Sequence, residues 1–151
     1  MHSNKIDYID SISTKLLLEN LPRPSKTEAS LLPISTLAYL GDAIHGFFAK
    51  ISSLNVLNVK EIHKRVSGLV SKHSQARCLD QILPTLNEQE MGLVKRAMNS
   101  KTAKKYGNDE EYRKSTALEA LIGYLYLVGD LDKMFRILMV SLTGATNDRV
   151  R

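Results

Sequence analysis

The chain has one cysteine, Cys78, so it can form no internal disulfide. That lone thiol and four scattered histidines give no zinc-ligand spacing. No apolar run reaches the ~18 residues of a membrane span. No stretch alternates apolar and polar residues over a useful length, so strands are not expected. There is no internal repeat and no low-complexity segment. The opening residues, Met1-His2-Ser3-Asn4-Lys5-Ile6-Asp7, carry acids early and no signal-peptide core. The expectation is a cytoplasmic protein without a membrane partner.

What remains is a chain of 151 residues with a net charge of +5. At that length a domain buries roughly 68–70% of its unfolded surface, enough for one real core. A positive balance favours a polyanionic partner, although solubility alone also accounts for a charge of this size.

Helical periodicity runs through the whole sequence, and the expected fold is all-α with six or seven helices. A first helix over 6–20 places Ile9, Ile12, Leu16 and Leu17 on one side. Leu21-Pro22-Arg23-Pro24 then breaks it, because proline removes a donor and restricts its predecessor. Pro33 suits the first turn of a second helix, running to about residue 52. Asn58 is a good cap for a third, with Val59, Ile62, Val66, Leu69 and Val70 inward. A fourth, about 73–83, puts Ala76, Leu79, Ile82, Leu83 and Cys78 in the core. Asn87-Glu88-Gln89-Glu90 reads as a cap opening a fifth. A long helix over about 110–128 stops at Gly129-Asp130, and a last one turns Leu131, Phe135, Leu138 and Leu142 to one face. The domain expectation is an N-terminal arm over 1–32, one domain over 33–142 and a tail over 143–151.

Two stretches break the pattern in the same way. Asp42 lies in the apolar run Leu37-Ala38-Tyr39-Leu40-Gly41-Asp42-Ala43-Ile44, beside small residues. Glu119 lies in Ser115-Thr116-Ala117-Leu118-Glu119-Ala120-Leu121-Ile122-Gly123, with Ser115 and Gly123 at four-residue steps. Glycine inside a helix costs roughly 0.5–1 kcal/mol relative to alanine. Burying an unpaired carboxylate costs more, unless a cation, hydrogen bonds or protonation offset it. Helices that each present a carboxylate among small residues can approach closely and share a divalent metal. Two solvated acids, or a paired buried acid, would also satisfy the pattern. His45 reads as a surface or core histidine rather than a ligand.

Positive charge collects on two faces. Lys60, His63, Lys64 and Arg65 line the outer side of the third helix, and Lys72 begins the fourth. Lys95, Arg96, Lys101, Lys104 and Lys105 fall within eleven residues. Dipole compensation at a helix C-terminus explains Lys95 and Arg96 but not the lysines that follow. These cations are candidate phosphate contacts, and ordinary solvated charge is the alternative for each.

Leu40-Gly41-Asp42 and Glu119-Ala120-Leu121-Ile122-Gly123 resemble the ribonuclease III nuclease domain. The opening motif, Ile62-His63-Lys64-Arg65, Val70-Ser71-Lys72-His73-Ser74-Gln75-Ala76 and the block from Tyr112 to Glu119 resemble its short branch, Mini-ribonuclease III. That branch lacks a double-stranded-RNA-binding domain, and the resemblance covers roughly residues 33–142. It implies an all-helical nuclease domain acting as a homodimer; the apolar helix of Tyr39 and Phe47 is the expected interface, with intrachain core as the alternative. It implies Mg²⁺-dependent cleavage of double-stranded RNA by metal-activated water, and maturation of the large-subunit (23S) ribosomal RNA precursor. Asp42 and Glu119 take the places of the family's catalytic metal ligands. Lys60, Lys64, Arg65, Lys72, Arg96, Asn99, Lys101, Lys104 and Lys105 are the expected RNA-binding residues. The chain departs from the pattern at Ser35, Ala38 and Thr116, where full-length enzymes carry further carboxylates. It departs again at Arg96-Ala97-Met98-Asn99, where the branch tends to Arg-Gly-Arg-Asn. A catalytically silent duplex-RNA or ribosome-assembly module, and a purely structural helical dimer, are the competing functional readings.

Overall fold

The computed structural model describes residues 20–55 and 58–144. Among these residues there are helices and turns and no strands. The helices are α1 (Lys26–Ser30), α2 (Ile34–Ser52), α3 (Val59–Leu69), α4 (Lys72–Ile82), α5 (Glu88–Met98), α6 (Glu110–Leu127) and α7 (Leu131–Thr143). A 3₁₀ turn, Leu83–Thr85, follows α4. The helix expected over 6–20 lies outside the described residues.

The helix starts follow local capping chemistry. Asn58, Ser71, Asn87, Asp109 and Asp130 each accept from a backbone N–H in the first turn of the helix that follows. At α5 the bond is reciprocated, because Glu90 also accepts from the Asn87 N–H at 2.9 Å. Gly129 takes φ +78° between α6 and α7, a conformation that glycine adopts without strain. Pro33 stands one residue before α2, as its N-cap.

α6 is the axis of the domain, with α2, α4, α5 and α7 packed around it. Residues 115–118 and 120–125 of α6 are all buried. They meet Leu37 from α2, Leu79 from α4, Val94 from α5, and Met134 and Leu138 from α7. Residues 26–30 fall in the expected arm, yet they form a helix whose Ala29 is fully buried in this core.

Two inward faces differ from expectation. On α3 only Val66 is buried, and Val59 is 80% exposed, because α3 lies at the edge of the domain. On α7 the buried residues are Met134, Ile137, Leu138 and Val140. Phe135 is displaced to the rim, where its ring stands edge-on to Phe48 at 5.5 Å.

Candidate active site

α2 and α6 cross at the distance of bare backbone. A Cβ on Gly41 would stand 1.7 Å from the carbonyl oxygen of Glu119. A Cβ on Gly123 would stand 2.2 Å from the carbonyl oxygen of Leu37. Only glycine fits either position, so the local cost that marked both stretches is offset by the close approach it allows. Asp42 follows Gly41 directly, so its carboxylate is delivered to the end of the crossing where Glu119 sits.

Between residues 115 and 125, Glu119 alone is not buried. Asp42 opposite it is exposed. Partial burial pushes the Glu119 carboxyl up to about 8, helped by the charge of Asp42 and a side-chain hydrogen bond with it. At neutral pH the metal-free Glu119 carboxyl therefore keeps its proton. Sequence reasoning expected two helix acids to meet, and the structure brings them to one helix crossing.

The walls of the site are small and neutral. Ser115 Oγ and Thr116 Oγ1 both donate to the Tyr112 carbonyl, at 2.8 and 3.0 Å. Ala38 is buried and Ser35 is exposed, and neither adds a carboxylate. Among the described residues no cluster of three or more His, Cys, Asp or Glu is placed to hold a metal. Two carboxylates facing solvent fit a hard divalent cation that keeps water or phosphate oxygens as its other ligands, which is the habit of Mg²⁺.

His45 is a core residue. It is fully buried, with Gln75 Nε2 donating to its Nδ1 at 2.9 Å and its Nε2 donating to Ser141 Oγ at 2.7 Å. The ring thus ties α2, α4 and α7 together below the carboxylates. Burial pulls its pKa down to about 4, against the pull of Asp42. Cys78 is buried against α7, with its Sγ 3.7 Å from the Ile137 carbonyl and its thiol pushed up to about 12 by burial.

The predicted RNA-binding cations separate into groups. Lys60, Lys64 and Arg65 are exposed on α3. Arg96, at the end of α5, is exposed at the rim of a shallow hollow between α1, α5 and α6. Lys101, Lys104 and Lys105 are exposed on the turns joining α5 to α6, and Lys105 lies over the Tyr106 ring at 5.5 Å. Asn99 is the C-cap of α5 and accepts from Arg113 at 3.3 Å. Lys72 is set apart, because its ammonium pairs with Asp109 at 2.5 Å, across to the start of α6. Arg113 had no signal of its own in the helical periodicity, since its partners at Met98, Asn99 and Asn108 precede its helix and are reached only by its side chain.

An all-helical domain with paired carboxylates at a glycine crossing has the parts that metal-assisted hydrolysis of a phosphodiester requires. Residues 35–130 match the Ribonuclease III domain. The chain is 38% identical to Mini-ribonuclease 3 of Symbiobacterium thermophilum, over 73% of this chain and 88% of that protein. It is 33% identical to Mini-ribonuclease 3 of a Thermoanaerobacter strain, over 83% of this chain and 91% of that one. A crystal structure of a Fusobacterium nucleatum protein superposes with a TM-score of 0.65 at 32% identity, covering 72% of this chain and 89% of that one. The chain belongs to the ribonuclease III family, within its Mini-ribonuclease 3 branch, and is an endoribonuclease.

Proposed function

We propose that the chain is a Mg²⁺-dependent endoribonuclease that cleaves double-stranded RNA as a cytoplasmic homodimer and matures the large-subunit (23S) ribosomal RNA precursor. The observation that carries the chemistry is the apposition of Asp42 and Glu119 at the glycine crossing, at the one position between residues 115 and 125 of α6 that is not buried. The names of the relatives support the reaction class, and the four motifs shared with the short branch support the ribosomal precursor.

Asp42 and Glu119 would be the protein residues that hold the divalent ion, and Glu119 would have to lose its proton to do so. When bound, such an ion neutralises charge at the scissile phosphate and acidifies an attacking water. Gly41 and Gly123 keep the two carboxylates together. The short side chains of Ala38, Ser115 and Thr116 leave room for a hydrated ion and an RNA strand. The cations of α3 and of the α5–α6 turns hold phosphates, which suits duplex RNA, recognised by shape and backbone.

The homodimer reading rests on α2. Its outer face carries Tyr39, 83% exposed, and Phe47, 59% exposed, continued by Ile51 and Leu54. Phe47 stands edge-on to Phe48 at 5.4 Å, and Phe135 and Met139 widen the patch. Tyr39, Phe47 and Ile51 fall at four- and eight-residue steps on one side of the helix. A second copy presenting the same stripe covers it by two-fold symmetry. Phe47→Glu should give a monomer in sedimentation, and a dimer in that variant contradicts the assignment.

Purified protein incubated with long duplex RNA, with Mg²⁺ and then with EDTA, tests the whole reading. Cutting only with metal supports it. Binding without cutting in Mg²⁺ leaves a silent RNA-binding module, and neither leaves a structural dimer.

A further inference from the structure

We propose that Arg113 is a positioning residue for RNA binding, a single guanidinium that clamps both ends of the basic segment carrying Lys101, Lys104 and Lys105. The inference rests on the reading of those lysines as duplex-RNA contacts.

The segment leaves α5 at Met98 and rejoins the chain at Asn108, just before α6. Both ends meet on Arg113. Its Nε donates to the Met98 carbonyl at 2.9 Å, and its Nη2 donates to Asn99 Oδ1 at 3.3 Å. Its Nη1 donates to Asn108 Oδ1 at 2.9 Å. Next to this clamp, Asp109 accepts from the Tyr112 N–H at 3.1 Å and from Lys72 at 2.5 Å. The base of the segment is thereby fixed to both α4 and α6.

Inside the segment the contacts are short-range. Ser100 Oγ donates to the Ala97 carbonyl at 2.6 Å and accepts from the Ala103 N–H at 3.1 Å. Ala103 is the one buried side chain from 101 to 108. Tyr106 leans edge-on against Tyr112 at 4.8 Å. Lys101, Lys104 and Lys105 are exposed and make no ion pair among the described residues. Their orientation is inherited from the base, so what holds the base aims the lysines.

The geometry needs arginine. Three acceptors in different directions engage three nitrogens of one planar group, and an ammonium is a point charge without that fork. All three acceptors are neutral oxygens, so none of these bonds cancels the guanidinium charge. Arg113 lies on α6 about 9 Å along the axis from Glu119 and about 120° around it. It therefore acts on RNA through the segment and not at the reacting phosphate.

The test compares the wild type, Arg113→Lys, the triple variant Lys101→Gln/Lys104→Gln/Lys105→Gln, and the two combined. Thermal unfolding is measured first, so that proteolysis and binding are read well below every midpoint. For Arg113→Lys the expected result is tryptic nicking after Lys101, Lys104 or Lys105 several-fold faster than in the wild type. Duplex RNA affinity in EDTA should fall by about tenfold. KM should rise while kcat at saturating RNA follows the wild type. Adding the triple change to Arg113→Lys should weaken binding by no more than about twofold, because the segment is already misdirected. Nicking and affinity both within twofold of wild type in Arg113→Lys overturn the proposal, as do fully additive losses in the combined variant. If the triple variant weakens binding and Arg113→Lys does not, the positioning role alone falls. If the triple variant binds RNA like the wild type, the reading of these lysines falls, and the positioning role with it.

Discussion

The α2–α6 crossing and the α5–α6 segment serve one reaction by opposite means. At the crossing, shape decides everything: two glycines let backbones touch, and the Glu119 carboxyl is held where burial and the charge of Asp42 disfavour its ionisation. At the segment, polar bonds decide: exposed lysines stand on a base of side-chain clamps with little apolar burial. Chemistry that tolerates no displacement sits on buried helices. Contacts that follow a long polyanion sit on surface polar frameworks, where small shifts cost little.

The contrast breaks most visibly at Asp42. Asp42→Asn keeps the shape and removes one charge, so cleavage should fall on the order of 10³-fold while circular dichroism and duplex binding stay near wild type. Loss of binding in parallel would mean that the crossing also recognises RNA.

The second largest effect is on stability. Gly41→Ala and Gly123→Ala gain about 1 kcal/mol in helix propensity. Each nonetheless drives a methyl into a carbonyl, and each should lose more than about 3 kcal/mol in denaturant unfolding. Arg113→Gln, which removes the α6 clamp on the base of the segment, should lose roughly 1 kcal/mol.

A third prediction concerns pH. The folded pKa of Glu119 lies above its ordinary value of 4.5, at about 8. Its stabilising contribution is therefore complete below 4.5 and lost as pH rises through 8. In EDTA at pH 9, Glu119→Gln should melt about 3 °C higher than the wild type, by a calorimetric scan. Metal binding displaces the same proton, so metal affinity in the wild type should rise with pH up to about 8 and level off above it.

His45 titrates with the opposite sign. Its folded pKa is depressed from 6.5 to about 4, so its contribution is whole above 6.5 and is lost as pH falls through 4. His45→Gln should flatten the acid limb of the stability curve by on the order of 2 kcal/mol between those pH values.

The smallest effects belong to the surface. Neutralising Lys60, Lys64 or Arg65 singly should weaken duplex binding by a few-fold and lower the slope of log affinity against log salt by about one.

Much of the crossing was legible in the sequence. Glycines and carboxylates inside apolar helical runs are locally costly, and two such costs at matching positions point to a shared structural reason. The capping residues Asn58, Asn87 and Asp130 were equally plain, because cap chemistry is local. The segment was legible only as charge. Its clamp joins residues 15 apart by side-chain bonds, which no periodicity encodes. The ion pair of Lys72 was not legible either, because its partner Asp109 lies 37 residues away. The rim position of Phe135 depends on Phe48 of another helix, so the face of α7 alone did not reveal it.

Titration of Mn²⁺ into the wild type, Asp42→Asn and Glu119→Gln at pH 8, followed by electron paramagnetic resonance of the free ion, tests the shared metal site directly. The wild type should take up the ion, and each variant should bind it at least about tenfold more weakly, since either loses one of two protein ligands. Uptake by either variant as tight as that of the wild type would show that the two carboxylates do not hold a common ion.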